Sequence, residues 1–586
     1  MGNTSPIADS APLAPSARAT SAAATPRLEL DRAVAAVRAK AKEFARLAPR
    51  AKADLLRGIL PRIVDASRDW VVAACRAKGI PASAPVAGEE WIAGPMVTVR
   101  NVRLLAEGLE AIARSGRLPF GRSARTRADG RVEVDVFPAG PFDSLTSTGF
   151  SCKVLLQEGV GRIEAEERQG SFYKKRDPDG EVALILGAGN VSSIPPMDAL
   201  YKMFVDGAVC VVKMNPVNEW MGPFLEKTFE PLIARDFLRV VYGGADAGGY
   251  LSQHPEVDSI HITGSDKTHD LIVWGAPGPE RDRRKAAKDP LLKKKITSEL
   301  GNVSPIAFTP GVYSDDELWF QARNLATMVV NNASFNCNAG KMLILPKGWP
   351  LKEKLMSLVA KALAQVPPRK AYYPGALERY ASLTSGHARV DKFGQATADA
   401  LSWALIRDVD GSNAHEVLFH AEPFCGILSQ TEVGSNDPVE FLAAATTFCN
   451  DTLWGTLNAT IVVHPRVEKD PAVERALDRA IVDLRYGSVA INHWPALVYG
   501  FVTPPWGGHP SATLEDIQSG LGWVHNTFML EGVDKSVVRG PLRTGMKPAW
   551  FYDNKSTHVI GERLTRFEAA PSWLKAPGLA VAAATG

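Results

Sequence analysis

VALILGAGN, residues 182–190, is a run of five apolar residues that closes in a turn of two glycines and an asparagine. A strand buried on both faces reads as such a near-continuous apolar run. The pattern returns in AVCVV (208–212), LRVVY (238–242), DSIHIT (258–263) and PIAF (305–308), with helical stretches between. Strands that alternate with helices predict an α/β fold built on a doubly wound sheet. Three of the runs end in GAGN, YGG and TGS. Ligands of such sheets bind at the carboxyl ends of the strands, so this region is a candidate nucleotide-binding domain.

A second series follows further along: MLILP (342–346), ATIVVHP (459–465) and SVAIN (488–492). It predicts a second α/β domain. Cys337 falls near the boundary of the two, and clefts between domains are common active sites. Upstream, apolar residues recur at three and four from Leu28 to Lys78, as in a helical hairpin. RVEVDVFP (131–138) alternates polar and apolar, and with SCKVLLQEG (151–159) it predicts a β-hairpin extension. Residues 1–27 are rich in Ala, Ser and Pro and read as a disordered tail. After Thr557 the segment HVIGERL is strand-like, and an Ala-rich end follows.

The 586 residues exceed one ordinary core, so two or three domains are expected. A composition of 45% hydrophobic and 22% charged residues is that of a soluble globular chain. Net charge is only +3, which argues against nucleic acid as a partner. The one dense basic stretch, 281–295, includes two Asp residues. It is either a solvated insertion or a patch for an anionic cofactor. No apolar run reaches the roughly 18–20 residues of a membrane helix. The six cysteines form no C-x-x-C pair, so neither a zinc site nor a disulfide framework is expected. A reducing, cytoplasmic setting is the default.

Cys337 stands in NNASFNCNAGK (331–341), among amides and small residues. Alone it could be a buried inert thiol, a metal ligand or a nucleophile. Other stretches narrow the choice by their order: LILGAGN (184–190), AVCVVKMNP (208–216), HPEVDSIHITGS (254–265), SELGN (298–302), AEPFCG (421–426), GSVAIN (487–492) and PPWGG (504–508). With the cysteine stretch, this series resembles the NAD(P)-dependent aldehyde dehydrogenase superfamily across roughly Leu28 to Ile560.

The resemblance implies that fold: N-terminal helices (28–130), a β-hairpin oligomerisation extension (131–160), a Rossmann-like cofactor domain (161–310), a catalytic domain (311–530) and a C-terminal extension (531–586). It implies a homodimer or homotetramer, an aldehyde substrate and NAD or NADP as cofactor. Cys337 matches the nucleophile, which attacks the aldehyde carbon. Asn190 matches the oxyanion asparagine, acting with the backbone N–H of Cys337. Glu299 matches the general base that activates water against the thioester. The branch that passes the acyl group to coenzyme A usually lacks this Glu, so hydrolysis to an acid is favoured over CoA acylation. A catalytically silent homologue is the reading from another class. Lys213 matches a lysine at the adenosine ribose, and Gly264 and Ser265 a pyrophosphate turn at a helix start. Gly244 fits the adenine side. Glu422 and Phe424 match a Glu-x-Phe that holds the nicotinamide ribose. Singly, each has an ordinary alternative in a turn or core. Lys202 could match a lysine near the oxyanion site.

Departures from the pattern are several. Gly189 replaces Trp before the asparagine, Ser334-Phe335 replace Gly-Gln before the nucleophile, and His269 replaces a turn glycine. Gly301-Asn302 and Cys425-Gly426 depart from Gly-Gly and Gly-Pro. Pro216 stands where NAD-preferring members commonly place an acid, which leaves NADP open. Trp494, Tyr499 and Phe501 follow SVAIN, where they either line a substrate tunnel or pack the core.

Overall fold

Four of the five apolar runs of the first series lie side by side. The computed structural model, which describes residues 23–586, forms a five-stranded parallel sheet in the order Leu238–Val241, Val209–Lys213, Val182–Leu186, Ser259–Thr263, Lys295–Glu299. The chain enters at the middle strand, Val182–Leu186, and steps outward to Leu238–Val241. It then crosses back to Ser259–Thr263. The order reverses between Val182–Leu186 and Ser259–Thr263, so the crevice for a ligand opens above Leu186 and Thr263.

PIAF was expected with this series, and the structure corrects that reading. Pro305–Phe308 lies in the second sheet, between Asn458–Val462 and Met342–Pro346. The fifth strand of the first sheet is Lys295–Glu299, KITSE. It is an edge strand whose first residues are exposed. An edge strand needs no continuous apolar run, so the search for such runs passes over it.

The second sheet has eleven strands. Seven run parallel in its middle, from Val533–Arg539 through Ser488–Ile491, Asn458–Val462, Pro305–Phe308, Met342–Pro346 and Ile427–Val433 to Trp403–Val409. Val132–Phe137 and Ser151–Leu156 pair antiparallel, as expected, but they are not a free-standing hairpin. Ser151–Leu156 also pairs with Val533–Arg539, which joins the extension to the rest of the second sheet. Ala124–Thr126 adds an outer edge strand that the sequence reading lacked.

The N-terminal hairpin is Arg27–Arg46 and Pro49–Lys78. Leu30, Val34, Val37, Ala41 and Phe44 form its buried stripe, and they join one core with the first sheet. The expected tail, 1–27, lies outside the described residues up to 22. Thr25 is already docked: its N–H donates to Tyr242 O at 3.1 Å, and Arg27 starts the helix.

HVIGERL is a second correction. It lies in a helix, Thr557–Ala569, rather than a strand. Thr557, Ile560, Gly561 and Thr565 are buried at spacings of three and four, the period of a helix face. Gly561 packs against Trp91, where a side chain would collide. Glu568, at the end of the helix, is buried between Arg100 and Arg103, at 2.9 and 2.6 Å. The Ala-rich end forms the helix Ala576–Ala584. The basic stretch begins in the helix Pro279–Ala286, where Arg283 pairs with Glu280 and Lys285 with Asp270, at 2.9 and 2.6 Å. Among the described residues no helix is long and apolar enough to cross a membrane.

Candidate active site

The cysteine loop is built from an unusual backbone. The helix Asp315–Val330 gives way to Asn332, Ala333 and Ser334, with φ of 52°, 54° and 70°. Three successive non-glycine residues in the left-handed region cost roughly 1–2 kcal/mol each. The surroundings hold them there. Asn332 N–H donates to Glu89 Oε2 at 2.9 Å, and Arg369 secures that carboxylate at 2.7 Å. Asn332 Oδ1 accepts from Lys78 Nζ and Tyr372 OH, both at 2.9 Å. Lys78 is itself buried on Glu90 at 2.8 Å. Lys341 Nζ donates to Ser334 Oγ at 2.7 Å and to Cys425 O at 2.9 Å. The loop that presents Cys337 is therefore clamped on both sides.

Cys337 and Glu299 meet across the two sheets. Glu299 ends the edge strand of the first sheet, and Cys337 leads into Met342–Pro346 of the second. Cys337 Sγ donates to Glu299 Oε1 at 3.1 Å. Glu299 is 2% exposed, and burial followed by the nearby charge of Asp198 pushes its carboxyl up to about 7. Its Oε2 has no partner among the described residues. Burial and the Glu299 charge both push the Cys337 thiol well above its ordinary range. The proton of the pair therefore rests on sulfur near neutrality, with a carboxylate in place to receive it. Ser304 Oγ and Asn458 Nδ2 hold the Cys337 carbonyl at 3.2 and 3.1 Å.

Asn190 stands at the end of the first strand's turn, beside the cysteine loop. Its Nδ2 donates to Phe335 O at 2.9 Å, and its carbonyl accepts from Asn332 Nδ2 at 3.0 Å and Tyr372 OH at 3.2 Å. One of its two N–H bonds is thus used to hold the loop, leaving the second for a ligand.

The expected cofactor residues separate into two groups. Lys213 ends its strand and donates to Gly243 O at 3.0 Å; burial lowers it to about 8, against the pull of Glu219. Gly244 precedes the helix Ala245–Gln253 and faces open space. Gly264 N–H donates to Glu299 O at 3.0 Å, and Ser265 caps the helix Asp266–Trp274. Across the cleft lie Glu422 and Phe424. Burial raises the Glu422 carboxyl, with Lys341 opposing, and its Oε1 lacks a partner among the described residues. Gly301 leaves room for that carboxylate, since a side chain there would displace Glu422 Oε2. Phe424 sits at φ 41° and packs on Tyr373, ring centroids 4.9 Å apart. Lys202 is not with the oxyanion side: its Nζ pairs with Asp206 at 2.8 Å, beside a separate cavity.

The three aromatics after SVAIN divide as well. Trp494 Nε1 donates to Asn338 O at 2.6 Å, and Tyr499 OH bonds Ser193 Oγ at 2.8 Å; Tyr499 and Phe501, but not Trp494, share a cluster with Cys337. Phe501 stacks on Phe137 at 3.6 Å and serves packing. Sequence reasoning missed Lys341, Trp506 and Asp198. Lys341 had a signal, a lone charge opening an otherwise apolar strand. Trp506 lies in the quoted PPWGG, and its buried indole faces Glu299. Asp198 had none.

Residues 150–398 match the model of the aldehyde dehydrogenase family. A Staphylococcus aureus protein, assigned provisionally to the aldehyde dehydrogenases by its name, is 27% identical over 220 residues. That match takes in 37% of this chain, which spans only 42% of the length of that relative. The fold resembles an aldehyde dehydrogenase of Mycobacterium tuberculosis complexed with NAD+, with TM-score 0.59, 16% identity and coverage of 89% and 91% of the two chains. It also resembles glyceraldehyde-3-phosphate dehydrogenase GapN of Methanocaldococcus jannaschii complexed with NADP, with TM-score 0.57, 14% identity and coverage of 88% and 95%.

Proposed function

We propose that this chain, a member of the aldehyde dehydrogenase superfamily, oxidises an aldehyde to a carboxylic acid with NAD or NADP, Cys337 serving as nucleophile and Glu299 as base. The observation that carries the reading is the Cys337 Sγ to Glu299 Oε1 contact of 3.1 Å in a cleft between two sheets. Glu299, at about 7, is matched to proton transfer near neutrality. It takes the thiol proton as sulfur adds to the aldehyde carbon. The free N–H of Asn190 and the Cys337 backbone N–H stabilise the oxygen that becomes anionic. One such donor is typically worth about 2.7–4 kcal/mol. When bound, the nicotinamide supplies the hydride acceptor that turns the adduct into a thioester. Once the thiol proton has left it, Glu299 deprotonates water, whose oxygen attacks the acyl carbon; the C–S bond breaks, and the released Cys337 thiolate takes the proton back from Glu299.

The residues present fit a dinucleotide. Two helix starts, after Gly244 and Gly264-Ser265, offer free backbone N–H groups to phosphate. Glu422 Oε1 is a buried acceptor without a partner among the described residues, suited to a ribose hydroxyl. Lys213 supplies a cation at the end of its strand. Assembly as a homodimer or homotetramer through the outer strand Ala124–Thr126 fits its one unpaired edge. Six unpaired thiols suit a reducing, cytoplasmic setting.

The test is reduced-nicotinamide absorbance with aliphatic and aromatic aldehydes, NAD and NADP in parallel, with and without CoA. Reduction without CoA, with acid as product, is expected. Reduction only with CoA would assign the acylating reaction and remove the hydrolytic role of Glu299. No reduction with any aldehyde, in a protein that binds the cofactor, would oppose the reading.

A further inference from the structure

We propose that Asp198, His261 and Thr297 form a proton path from Glu299 to a separate cavity further along the same face of the first sheet. The inference rests on the hydrolytic reading above. At each sulfur addition the Cys337 S–H bond breaks and its proton is left on Glu299. That proton must leave before Glu299 can deprotonate water against the thioester, yet Glu299 is 2% exposed.

The register of two strands lays out the path. Ser259–Thr263 and Lys295–Glu299 pair in parallel, with His261 opposite Thr297 and Thr263 opposite Glu299. Residues two apart share a face, so these four side chains lie together on one side of the sheet. Asp198, from the helix Ile194–Phe204, covers them. Thr263 Oγ1 donates to Asp198 Oδ2 at 2.9 Å, and His261 Nε2 lies 3.5 Å from the same oxygen and 3.3 Å from Thr263 Oγ1. On its other side His261 Nδ1 bonds Thr297 Oγ1 at 2.9 Å. Asp198 is 1% and His261 2% exposed, and neither forms an ion pair with a lysine or arginine among the described residues. Two buried titratable groups without a cation are costly unless they serve a purpose that apolar residues could not. The charge of Asp198 also reaches Glu299, contributing to its raised carboxyl.

Thr297 is where the ladder leaves the core. It lines a cavity of about 390 Å³ together with Lys175, Glu181, Lys202, Asp206, Lys295 and Glu531. These charged groups make a wet, buffering exit. Thr263, opposite Glu299 in register, takes its proton and gives its own hydroxyl proton to Asp198 Oδ2, and Asp198 passes one to His261 Nε2. His261 releases the Nδ1 proton to Thr297 Oγ1, whose own hydroxyl proton goes to the cavity. Each hop moves one proton, and a return of the side chains restores the start. This also gives Lys202 a place, at the exit rather than at the oxyanion.

The test needs no aldehyde. Exchange of the Glu299 carboxyl proton into D2O is followed by the infrared band absent from Glu299→Gln, below the carboxyl's value of about 7. Exchange should slow at least about tenfold in Asp198→Asn, His261→Phe and Thr297→Val. Imidazole should restore it in His261→Gly, which a merely structural role would not allow. Thr297→Val, nearly isosteric, serves if the buried variants misfold. Wild-type exchange in folded Thr297→Val and Asp198→Asn would overturn the path. Slowed exchange without aldehyde oxidation would keep the path and sink only the proposed function. With an active aldehyde, the variants should retain the hydride burst and lose steady-state rate.

Discussion

Glu299 and Glu422 are two buried carboxyls of one cleft, and both are raised by burial. Their company differs. Glu299 faces a thiol, an indole and a second acid, Asp198; nothing cationic opposes the rise. Glu422 has Lys341 and Arg379 to oppose it, and a backbone N–H from Asn302. The first environment suits the proposed base, a group that would change charge during a cycle. The second suits an acceptor held in place. Burial alone does not distinguish a base from a binding carboxylate; the neighbouring charges do.

The comparison breaks most directly at the thiol. Cys337→Ala should lower turnover by at least about 10⁴-fold while melting temperature and cofactor binding stay as in the wild type. Steady-state rates and a cofactor titration check this, and normal turnover would leave Glu299 with nothing to serve. Glu299→Gln should slow thioester hydrolysis by roughly 10²–10⁴-fold and spare the first hydride burst, as read by rapid mixing. Loss of the burst itself would give Glu299 a different role.

The same variant tests the raised carboxyl through stability. Glu299 holds its proton more tightly folded than unfolded, from an ordinary 4.5 to about 7. Its contribution is therefore full below about 4.5 and disappears as pH rises through about 7. The wild type should lose on the order of 3 kcal/mol across that window from this group, and Glu299→Gln should not. Denaturant unfolding at the two ends of the window measures the difference.

Glu422→Gln should instead raise the cofactor KM about tenfold, the loss of one charged hydrogen bond, and leave the pH profile of hydrolysis unmoved. A shifted profile would make the two acids alike and remove the contrast. The smallest change is Tyr499→Phe, which deletes the 2.8 Å bond to Ser193. It should cost about 1 kcal/mol of stability and change turnover only a few-fold. A loss as large as that of Glu299→Gln would move Tyr499 into the chemistry.

Most strands were readable because central parallel strands are apolar along their whole length. VALIL, VCVVK and MLILP are buried at every residue. KITSE was not readable, being an edge, and PIAF was readable as a strand but not as a member of its sheet. HVIGERL carried both periods in seven residues, and its packing on Trp91 selected the helix. Of the site, the ordered motifs named Cys337 and Glu299, which meet at 3.1 Å, and Asn190, whose side chain bonds the cysteine loop, while Lys202 lies apart on Asp206.

By itself the sequence determined the alternation of strand and helix, the cysteine and acid that meet, and the two turns suited to phosphate. These are local properties, written in the hydrophobicity and type of adjacent residues. Only the tertiary structure decided the rest. Cys337 and Glu299 are 38 residues apart, Thr263 and Asp198 are 65, and the clamp from Glu89 to Asn332 spans 243. Proton affinity and backbone strain depend on such distant neighbours, because a charge or a donor acts through space and not along the chain.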